Sequence, residues 1–410
     1  MKARSRSKTH SLLTDQVSLP AGFSFASACA GIKASGRPDL ALVEASPGTA
    51  AAALFTRNRV VAAPLVVGRA SLASSRGQIR AVIVNSGNAN CATGKSGIQA
   101  CRQVCREVGK LLGVPQTQVF PSSTGIIGVR LPVDKIISRL PEVVGLRAAT
   151  EQGVTSFAHA IMTTDKRPKF ASAEFRLGKS MVRLLGIAKG AGMIHPQMAT
   201  MLVYLFSDIV ATPAELKRSL RHACEDTFNA ISIDGDTSTN DTVLLLASGH
   251  SGMHLNDPAK PLFLSGLQQV CQSLAEQIVA DGEGVEHVIR LSIEQAKNRK
   301  EARQIARTVA HSLLVKTAWA GADPNWGRIL AAVGRSGIAI NPGRINIMIG
   351  DQPVCRGGVA CVFDEKRAHQ VLSQPSSEIR ILLGRGRIAA DFLTTDLTSE
   401  YVRVNADYST

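Results

Sequence analysis

The sequence predicts an α+β fold in which sheets and helices are layered. Short apolar segments with strand character and segments with helical spacing are mixed along the whole chain. They do not alternate in the regular order of a doubly wound sheet, which favours a layered arrangement over a parallel α/β fold. The chain has 410 residues, which at roughly 150 residues per domain allows two or three domains and a large core.

The individual elements follow from local patterns. Ile98–Leu112 carries apolar residues at helical intervals, and Gly113 directly after it is a favourable stop. Thr212–Glu215 has the form of a capping box with proline at the first helical position, so a helix is predicted from there towards Phe228. Two further helices are predicted over Leu262–Ala280 and Glu301–Trp319. Strands are predicted over Arg80–Asn85, Val182–Ile187, Met201–Phe206, Val243–Ala247 and Ile345–Ile349.

Composition narrows the class of protein. The formal charge of +15 would suit a nucleic-acid partner or an anionic substrate, but the basic residues are spread along the chain and aromatic residues make up only 4%. That is too few for the stacking platforms of single-strand binders, so a basic surface is the favoured interpretation and no nucleic-acid partner is expected. Because no apolar run reaches the ~20 residues of a membrane span, no membrane association is expected either.

The cysteines and the start of the chain bear on the compartment. The eight cysteines are dispersed and form no CxxC pair, which favours reduced thiols over a disulfide framework. The basic residues 1–13 are not followed by the apolar region of a secretory signal. They are rich in Arg and Ser, as mitochondrial presequences are, but a solvated tail is the favoured interpretation. We therefore expect a soluble, cytoplasmic protein.

Several familiar motifs fail their own requirements. Residues 94–96 (Gly-Lys-Ser) follow a strand, but Ala89 occupies the position where a P-loop needs its first glycine. Asp234–Asp241 resembles the start of a calcium loop, yet Thr239 and Leu245 replace the glycine and glutamate of an EF-hand. This segment is interpreted as a polar turn, with a different kind of metal site as the weaker alternative. No GxSxG, HExxH or dinucleotide fingerprint occurs, so we expect no metal and no cofactor.

The most informative segment is Ile187–Leu202 (IAKGAGMIHPQMATML), where a predicted strand ends in a glycine-rich turn and a loop leads to Ala199 and Thr200. A small residue before a hydroxyl residue suits self-cleavage of the backbone, because the threonine Oγ must reach the preceding carbonyl to begin an N→O acyl shift. Taken alone, an Ala-Thr pair is more often only part of a loop.

At this segment the sequence resembles the glutamate N-acetyltransferase (ornithine acetyltransferase) family of arginine biosynthesis, whose members cleave themselves at an Ala-Thr bond. The resemblance extends from about Gly22 to Thr410 through long motifs in the family's order. These motifs are GIKASGRPDL (31–40), VNSGNAN (84–90), PSSTGIIG (121–128), MTTDKRP (162–168), the segment 189–202, DGDTSTNDT (234–242), DGEG (281–284), GADPNWGRILAAVGRSG (321–337) and NADYST (405–410).

The resemblance implies a mechanism. Cleavage between Ala199 and Thr200 makes Thr200 the first residue of a second chain, and its Oγ takes the acetyl group of N-acetylornithine. The freed α-amino group, with an ordinary pKa of ~7.7–8.0, would serve as the general base. Thr124 and Gly125 match the family's oxyanion-hole pair. Glutamate then attacks the acetyl-threonine ester, which gives a two-step cycle without a cofactor.

The resemblance also implies how the substrate is bound. Thr163, Lys189, Glu283, Asn405 and Thr410 fall on substrate-binding positions of the family, together with Thr200. A lysine can pair with the carboxylate of an amino acid, and a glutamate can pair with its ammonium group. Because Thr410 ends the chain, the C-terminal tail is expected to return to the active site.

The expected architecture is a four-layer αββα core with a smaller α+β domain after it. Residues 1–199 would form one fragment, residues 200–285 the core part of the second fragment, and residues 286–410 the C-terminal domain. The family further implies a heterotetramer with two copies of each fragment. It contains monofunctional members and bifunctional members that also use acetyl-CoA as a co-substrate, and no residue in the sequence decides between these.

Two other functions stay open on the sequence. The first is an aminopeptidase or amidase of the related self-processing fold, which uses a serine nucleophile and lacks the segments 189–202 and 321–328. The second is a basic nucleic-acid-binding protein without catalytic activity, which the low aromatic content disfavours.

Overall fold

The computed structural model describes residues 11–195, 201–256 and 258–407. The strands of these residues are, in chain order, β1 (Leu13–Thr14), β2 (Phe23–Ala28), β3 (Leu40–Ala45), β4 (Ala50–Phe55), β5 (Ala81–Asn88), β6 (Val119–Ile126), β7 (Lys169–Leu177), β8 (Ser180–Lys189), β9 (Leu202–Ser207), β10 (Thr242–Ala247), β11 (Val288–Ala296), β12 (Asn346–Ile349), β13 (Gln352–Arg356), β14 (Val359–Ala360), β15 (Ser376–Leu382) and β16 (Ile388–Thr395). The α-helices are α1 (Ala63–Ser74), α2 (Gly94–Leu112), α3 (Val133–Gly145), α4 (Glu151–Ala160), α5 (Pro213–Glu225), α6 (Ala259–Ala280), α7 (Arg299–Ala310), α8 (Leu313–Ala320), α9 (Trp326–Gly334), α10 (Glu365–Leu372) and α11 (Ser399–Asp407).

Two sheets form the centre of the core. One has the order β1-β7-β8-β9-β10-β4 and the other the order β2-β3-β5-β6. Their facing surfaces share one hydrophobic cluster, in which Phe25 of β2 meets Phe206 of β9 with ring centroids 5.1 Å apart. Alternate side chains of a strand point to opposite faces, so each sheet also presents an apolar outer face.

Helices cover both outer faces. Leu216 of α5 and Phe263 of α6 pack in one cluster with Leu205 of β9 and other residues of the six-stranded sheet. On the other side, Val104 of α2 and Leu140 of α3 pack in one cluster with residues of the four-stranded sheet. The resulting order of helices, sheet, sheet and helices is the four-layer αββα core that the resemblance implied, and the α+β fold class is confirmed.

A third sheet has the order β14-β13-β12-β15-β11-β16, and all of its strands follow those of the core in the sequence. It has its own hydrophobic cluster, in which Leu291 of β11 packs with Ile305 of α7 and Trp319 of α8. The division of the chain into fragments at residue 200 and into domains near residue 286 stays a prediction.

Most of the predicted elements are confirmed, with boundaries that differ by a few residues. The capping box at the start of α5 is formed, because the Thr212 side chain accepts from the Glu215 N–H and the Glu215 side chain accepts from the Thr212 N–H. Helix α2 ends at a left-handed Gly113, as predicted. The helix after Thr212 stops at Glu225, and Phe228 lies in a separate 3-10 turn.

The single helix predicted over Glu301–Trp319 is wrong, because α7 ends at Ala310 and α8 begins at Leu313. Between them Ser312 has an extended backbone. The His311 ring nitrogen Nε2 lies 2.9 Å from Ser232 Oγ in the core. Helical spacing continues through this point in the sequence, so only the tertiary contact marks the break.

Candidate active site

A cavity of about 240 Å³ lies between the two core sheets and the C-terminal helix. Its wall includes all six of the predicted site residues that the structure describes: Thr124, Gly125, Thr163, Lys189, Glu283 and Asn405. Ala199, Thr200 and Thr410 lie outside the described residues. Residues that are 281 positions apart in the chain therefore meet around one space, which the sequence alone could only suggest through the family resemblance.

The first wall of the cavity is the edge where the parallel strands β5 and β6 end. Thr124 and Gly125 directly precede Ile126, the last residue of β6, and Gly125 pairs with Gly87 of β5. Gly125 has φ +128°, and a Cβ on it would lie 2.4 Å from the Gly87 carbonyl carbon. Such contacts do not occur, so only glycine fits where the two backbones approach.

A side chain from a distant segment ties this edge together. The Nδ2 of Asn240 donates to the carbonyl of Ala89 at 2.7 Å and to the carbonyl of Ser123 at 2.9 Å. Asn240 is buried and its Oδ1 accepts from the Thr239 hydroxyl at 2.6 Å. One amide therefore holds the loop after β5 at a fixed distance from the strand that carries Thr124.

The floor of the cavity carries a buried cation. Lys189, the last residue of β8, is 3% exposed and its Nζ donates to Thr163 Oγ1 at 2.8 Å. The same Nζ lies 3.5 Å from the Asp165 carboxylate, which also accepts from Lys169 Nζ at 2.7 Å. Lys169 in turn contacts Asp281 at 2.5 Å.

These charges balance one another away from water. Burial alone would raise the pKa of the Asp165 carboxyl, but Lys189 and Lys169 outweigh burial and hold that pKa well below its usual range. Asp165 therefore stays ionised and also accepts from the Gly190 N–H at 2.6 Å. The network fixes the end of β8 and places one ammonium group beside the cavity.

Glu283 and the C-terminal helix α11 form another part of the cavity wall. Glu283 lies in the turn between α6 and β11, and its N–H donates to the Ala191 carbonyl at 2.8 Å. Its Oε2 accepts from Asn405 Nδ2 of α11, also at 2.8 Å. A Cβ on Gly284 would lie 2.2 Å from the Tyr401 nitrogen, so the absence of a side chain there lets α11 approach. The cavity wall therefore carries the Glu283 carboxylate as well as the Lys189 ammonium.

The sequence prediction missed several residues of the cavity wall. They are Thr164, Asp234, Asp236, Asn240 and Tyr401. Burial raises the pKa of Asp234 to about 6, although backbone N–H groups of Asp236 and Met193 stabilise its charged form. The segment that carries three of them was interpreted as a polar turn because it fails the EF-hand pattern. Its presence among the family motifs was the signal that could have identified it.

His195 and His311 form a pair of neighbouring rings. His195 Nδ1 is 3.3 Å from His311 Nε2, and that same Nε2 is 2.9 Å from Ser232 Oγ. Burial, together with the neighbouring His195 ring, lowers the pKa of His311 to about 3. Both rings therefore belong to a packed, uncharged contact at neutral pH.

One group of side chains in the described parts of the chain has the composition of a metal site. The side chains of Glu286, His287 and Asp396 offer ligand atoms within 4.8 Å of one another. The Asp396 oxygens accept from the N–H groups of both other residues, and one lies 3.0 Å from the His287 ring nitrogen. None of the described helices has the length and apolar character needed to span a bilayer.

The arrangement suits a small zwitterionic substrate. Lys189 offers a cation to a carboxylate, Glu283 offers an anion to an ammonium group, and the β6 edge offers backbone and hydroxyl donors. Buried and preorganised donors of this kind stabilise an oxyanion when a carbonyl group is attacked. The cavity therefore offers complementary groups to both charged ends of an amino acid or a derivative of one.

The sequence of the chain is similar to those of known proteins along nearly its whole length. The ArgJ family model matches residues 24–410. The "Arginine biosynthesis bifunctional protein ArgJ" of Methylococcus capsulatus is 44% identical over 95% of this chain and 96% of its own length. The protein of the same name from Thermus thermophilus is 44% identical over 96% of this chain and its full length. A solved ornithine acetyltransferase from Mycobacterium tuberculosis, described as complexed with ornithine, is 42% identical and covers 43% of this chain and 92% of its own, with a TM-score of 0.41.

Proposed function

The chain belongs to the ArgJ family, and from this we propose that it transfers the acetyl group of N2-acetylornithine to glutamate through an acetyl ester on Thr200. The observation that carries the proposal is the cavity in which Thr124, Gly125 and the residues Thr163, Lys189, Glu283 and Asn405 converge. The names of the curated relatives place them in arginine biosynthesis, which supports the choice of substrates.

The proposed activity begins with self-cleavage. The Thr200 Oγ attacks the Ala199 carbonyl carbon, the bond from that carbon to the Thr200 nitrogen breaks, and an ester replaces the amide. Water then hydrolyses the ester and leaves a carboxylate on Ala199, a free hydroxyl on Thr200 and a free α-amino group. That amine is the base that a hydroxyl nucleophile otherwise lacks.

Acetyl transfer follows in two half-reactions. The α-amino group accepts the proton of Oγ as Oγ attacks the acetyl carbonyl of N-acetylornithine, and Thr124 and Gly125 donate to the resulting oxyanion. The amine returns the proton to the leaving nitrogen and ornithine departs. The amine of glutamate then attacks the acetyl ester, which gives N-acetylglutamate and restores Thr200.

Lys189 and Glu283 would hold the charged ends of both substrates. Their ammonium and carboxylate lie on different walls of one cavity, and each is fixed by a hydrogen bond at 2.8 Å. Thr410 would close the site from the end of the chain. Cytoplasmic location and assembly as a heterotetramer of two copies of each fragment complete the proposal.

The relatives are named bifunctional, which favours a second activity in which acetyl-CoA supplies the acetyl group for Thr200. Both donors would form the same acetyl ester, so one nucleophile serves both reactions. Replacing N-acetylornithine by acetyl-CoA in the same assay tests this part alone.

The test is incubation of the purified protein with N-acetylornithine and glutamate. N-acetylglutamate that appears in step with ornithine supports acetyl transfer. Acetate in place of N-acetylglutamate would instead support an amidase of the related self-processing fold. Retention on heparin without either product would favour the nucleic-acid-binding alternative.

A further inference from the structure

The segment Asp234–Asp241, called here the acidic turn, contributes several side chains to the cavity wall. In the ladder between β8 and β9, Lys189 pairs with Leu202, so the chain leaves and re-enters the sheet at neighbouring positions. Side chains of the acidic turn accept hydrogen bonds from backbone N–H groups of residues 193, 194 and 201, which lie in the segment between these two strands. This segment was not assigned any role by its sequence pattern.

On the N-terminal side, Asp234 binds two consecutive N–H groups. Its Oδ2 accepts from Met193 at 2.5 Å and its Oδ1 accepts from Ile194 at 2.9 Å. The Ile194 carbonyl is held as well, because it accepts from the Ile233 N–H and from the Ser232 hydroxyl, both at 2.9 Å. Met193 has φ +57°, a left-handed conformation that costs a non-glycine residue free energy. The contacts therefore hold a strained backbone in place.

On the C-terminal side, Asp241 binds the residue that follows Thr200. Its Oδ1 accepts from the Met201 N–H at 3.0 Å, and the Met201 carbonyl accepts from the Thr242 N–H at 3.1 Å. Asp241 is 1% exposed, and burial raises the pKa of its carboxyl well above the usual range, so at neutral pH it is an uncharged acid that accepts the Met201 N–H through Oδ1.

We propose that Asp234 and Asp241 are positioning residues for self-cleavage, because they hold residues 193–194 and residue 201 on either side of the Ala199–Thr200 bond. The inference rests on the self-cleavage proposed above. An intramolecular attack depends on how closely nucleophile and carbonyl are aligned, and a misplacement of about 1 Å can cost about 10²-fold in rate.

The experiment follows the uncleaved fraction of the full chain by denaturing intact-mass analysis at successive times after synthesis. Asp241→Ala removes the acceptor for the Met201 N–H, and Asp241→Asn keeps one. Asp208→Ala is the matched control, because Asp208 is also buried and its carboxyl also accepts a backbone N–H, that of Arg183 at 2.9 Å. Asp208 directly follows the C-terminal end of β9, whereas Met201 directly precedes its N-terminal end.

We expect Asp241→Ala to slow cleavage by about 10²-fold, while Asp241→Asn and Asp208→Ala cleave near the wild-type rate. At Asp234 the asparagine variant should also be slow. Both oxygens of Asp234 accept N–H groups, and an amide nitrogen cannot accept. Thermal unfolding of each variant separates a loss of stability from a loss of positioning.

The outcomes are distinct. Cleavage of Asp241→Ala at the wild-type rate, or equal slowing in Asp208→Ala, would overturn the positioning role and leave the proposed acetyl transfer intact. A wild-type chain that stays uncleaved would overturn the proposed self-cleavage itself, and the positioning role with it.

Discussion

Replacing Gly125 by alanine tests the oxyanion edge most sharply. The new Cβ would lie 2.4 Å from the Gly87 carbonyl carbon and 2.5 Å from the Asn88 nitrogen, whereas ordinary van der Waals contact begins at 3.4 Å. Because both partners are backbone atoms, β5 and β6 must separate there by about 1 Å. A shift of that size displaces the Gly125 donor from the oxyanion, and losing one such donor costs about 10²–10³ in kcat, or about 2.7–4 kcal/mol.

Gly128→Ala is the matched control for this change. Gly128 also has a positive φ, +84°, but no atom lies within 4 Å of a Cβ placed on it. Both variants therefore carry a strain of about 1–3 kcal/mol from the positive φ, and only Gly125→Ala adds the clash.

The assay is steady-state formation of N-acetylglutamate, expressed per cleaved chain so that a processing defect is not counted as a loss of kcat. We expect a large loss of kcat for Gly125→Ala and a nearly unchanged kcat for Gly128→Ala. Equal kcat values for the two variants would refute the assignment of Gly125 to the oxyanion hole.

Three further predictions concern substrate binding and pH. Lys189→Met should lower kcat/KM by about two to three orders of magnitude, because it removes a buried cation that contacts Thr163; unchanged KM values for both substrates would contradict this role. Deleting residues 405–410 removes the Asn405 contact to Glu283 and should raise KM strongly; an unchanged KM would refute the role of the tail. The pKa of His311 is about 3 in the folded chain, below the ~6.5 of an exposed histidine, so between these pH values the unfolded chain binds the proton and the folded chain does not. The free energy of unfolding should therefore fall as the pH drops from ~6.5 towards 3, by up to about 1.4 kcal/mol per pH unit. Denaturant unfolding of His311→Gln should show a shallower fall over this range, and the same fall as in the wild type would contradict the assignment.

Local patterns were sufficient for much of the fold. The capping box at Thr212 and the stop at Gly113 depend on neighbouring residues, so both could be predicted from the sequence. The break between α7 and α8 could not, because His311 meets Ser232 79 positions away. Such a contact leaves helical spacing unchanged and is invisible to periodicity.

The site residues also fall into some that the sequence predicted and others that only the structure revealed. Thr124, Lys189 and Glu283 were predicted because each lies in a motif that matches the family, and the structure places all three around one cavity. Asp234 and Tyr401 also line it but were not predicted, since their neighbours in space come from other segments. The hydroxyl of Tyr401 lies 3.4 Å from Asp234, 167 positions away in the chain. Asn405 of the same helix was predicted, but it took the folded chain to show that Tyr401 and the side chains of the acidic turn also belong to this cavity.

The most direct test of the account is the intact mass of the denatured protein after mixing with N-acetylornithine in the absence of glutamate. We predict two fragments that meet at Ala199 and Thr200, with the second fragment heavier by one acetyl group that disappears when glutamate is added. Thr200→Ala should remain one unmodified chain. A single uncleaved wild-type chain with full transfer activity, or turnover with no acetyl group on the fragment that begins at Thr200, would contradict the mechanism.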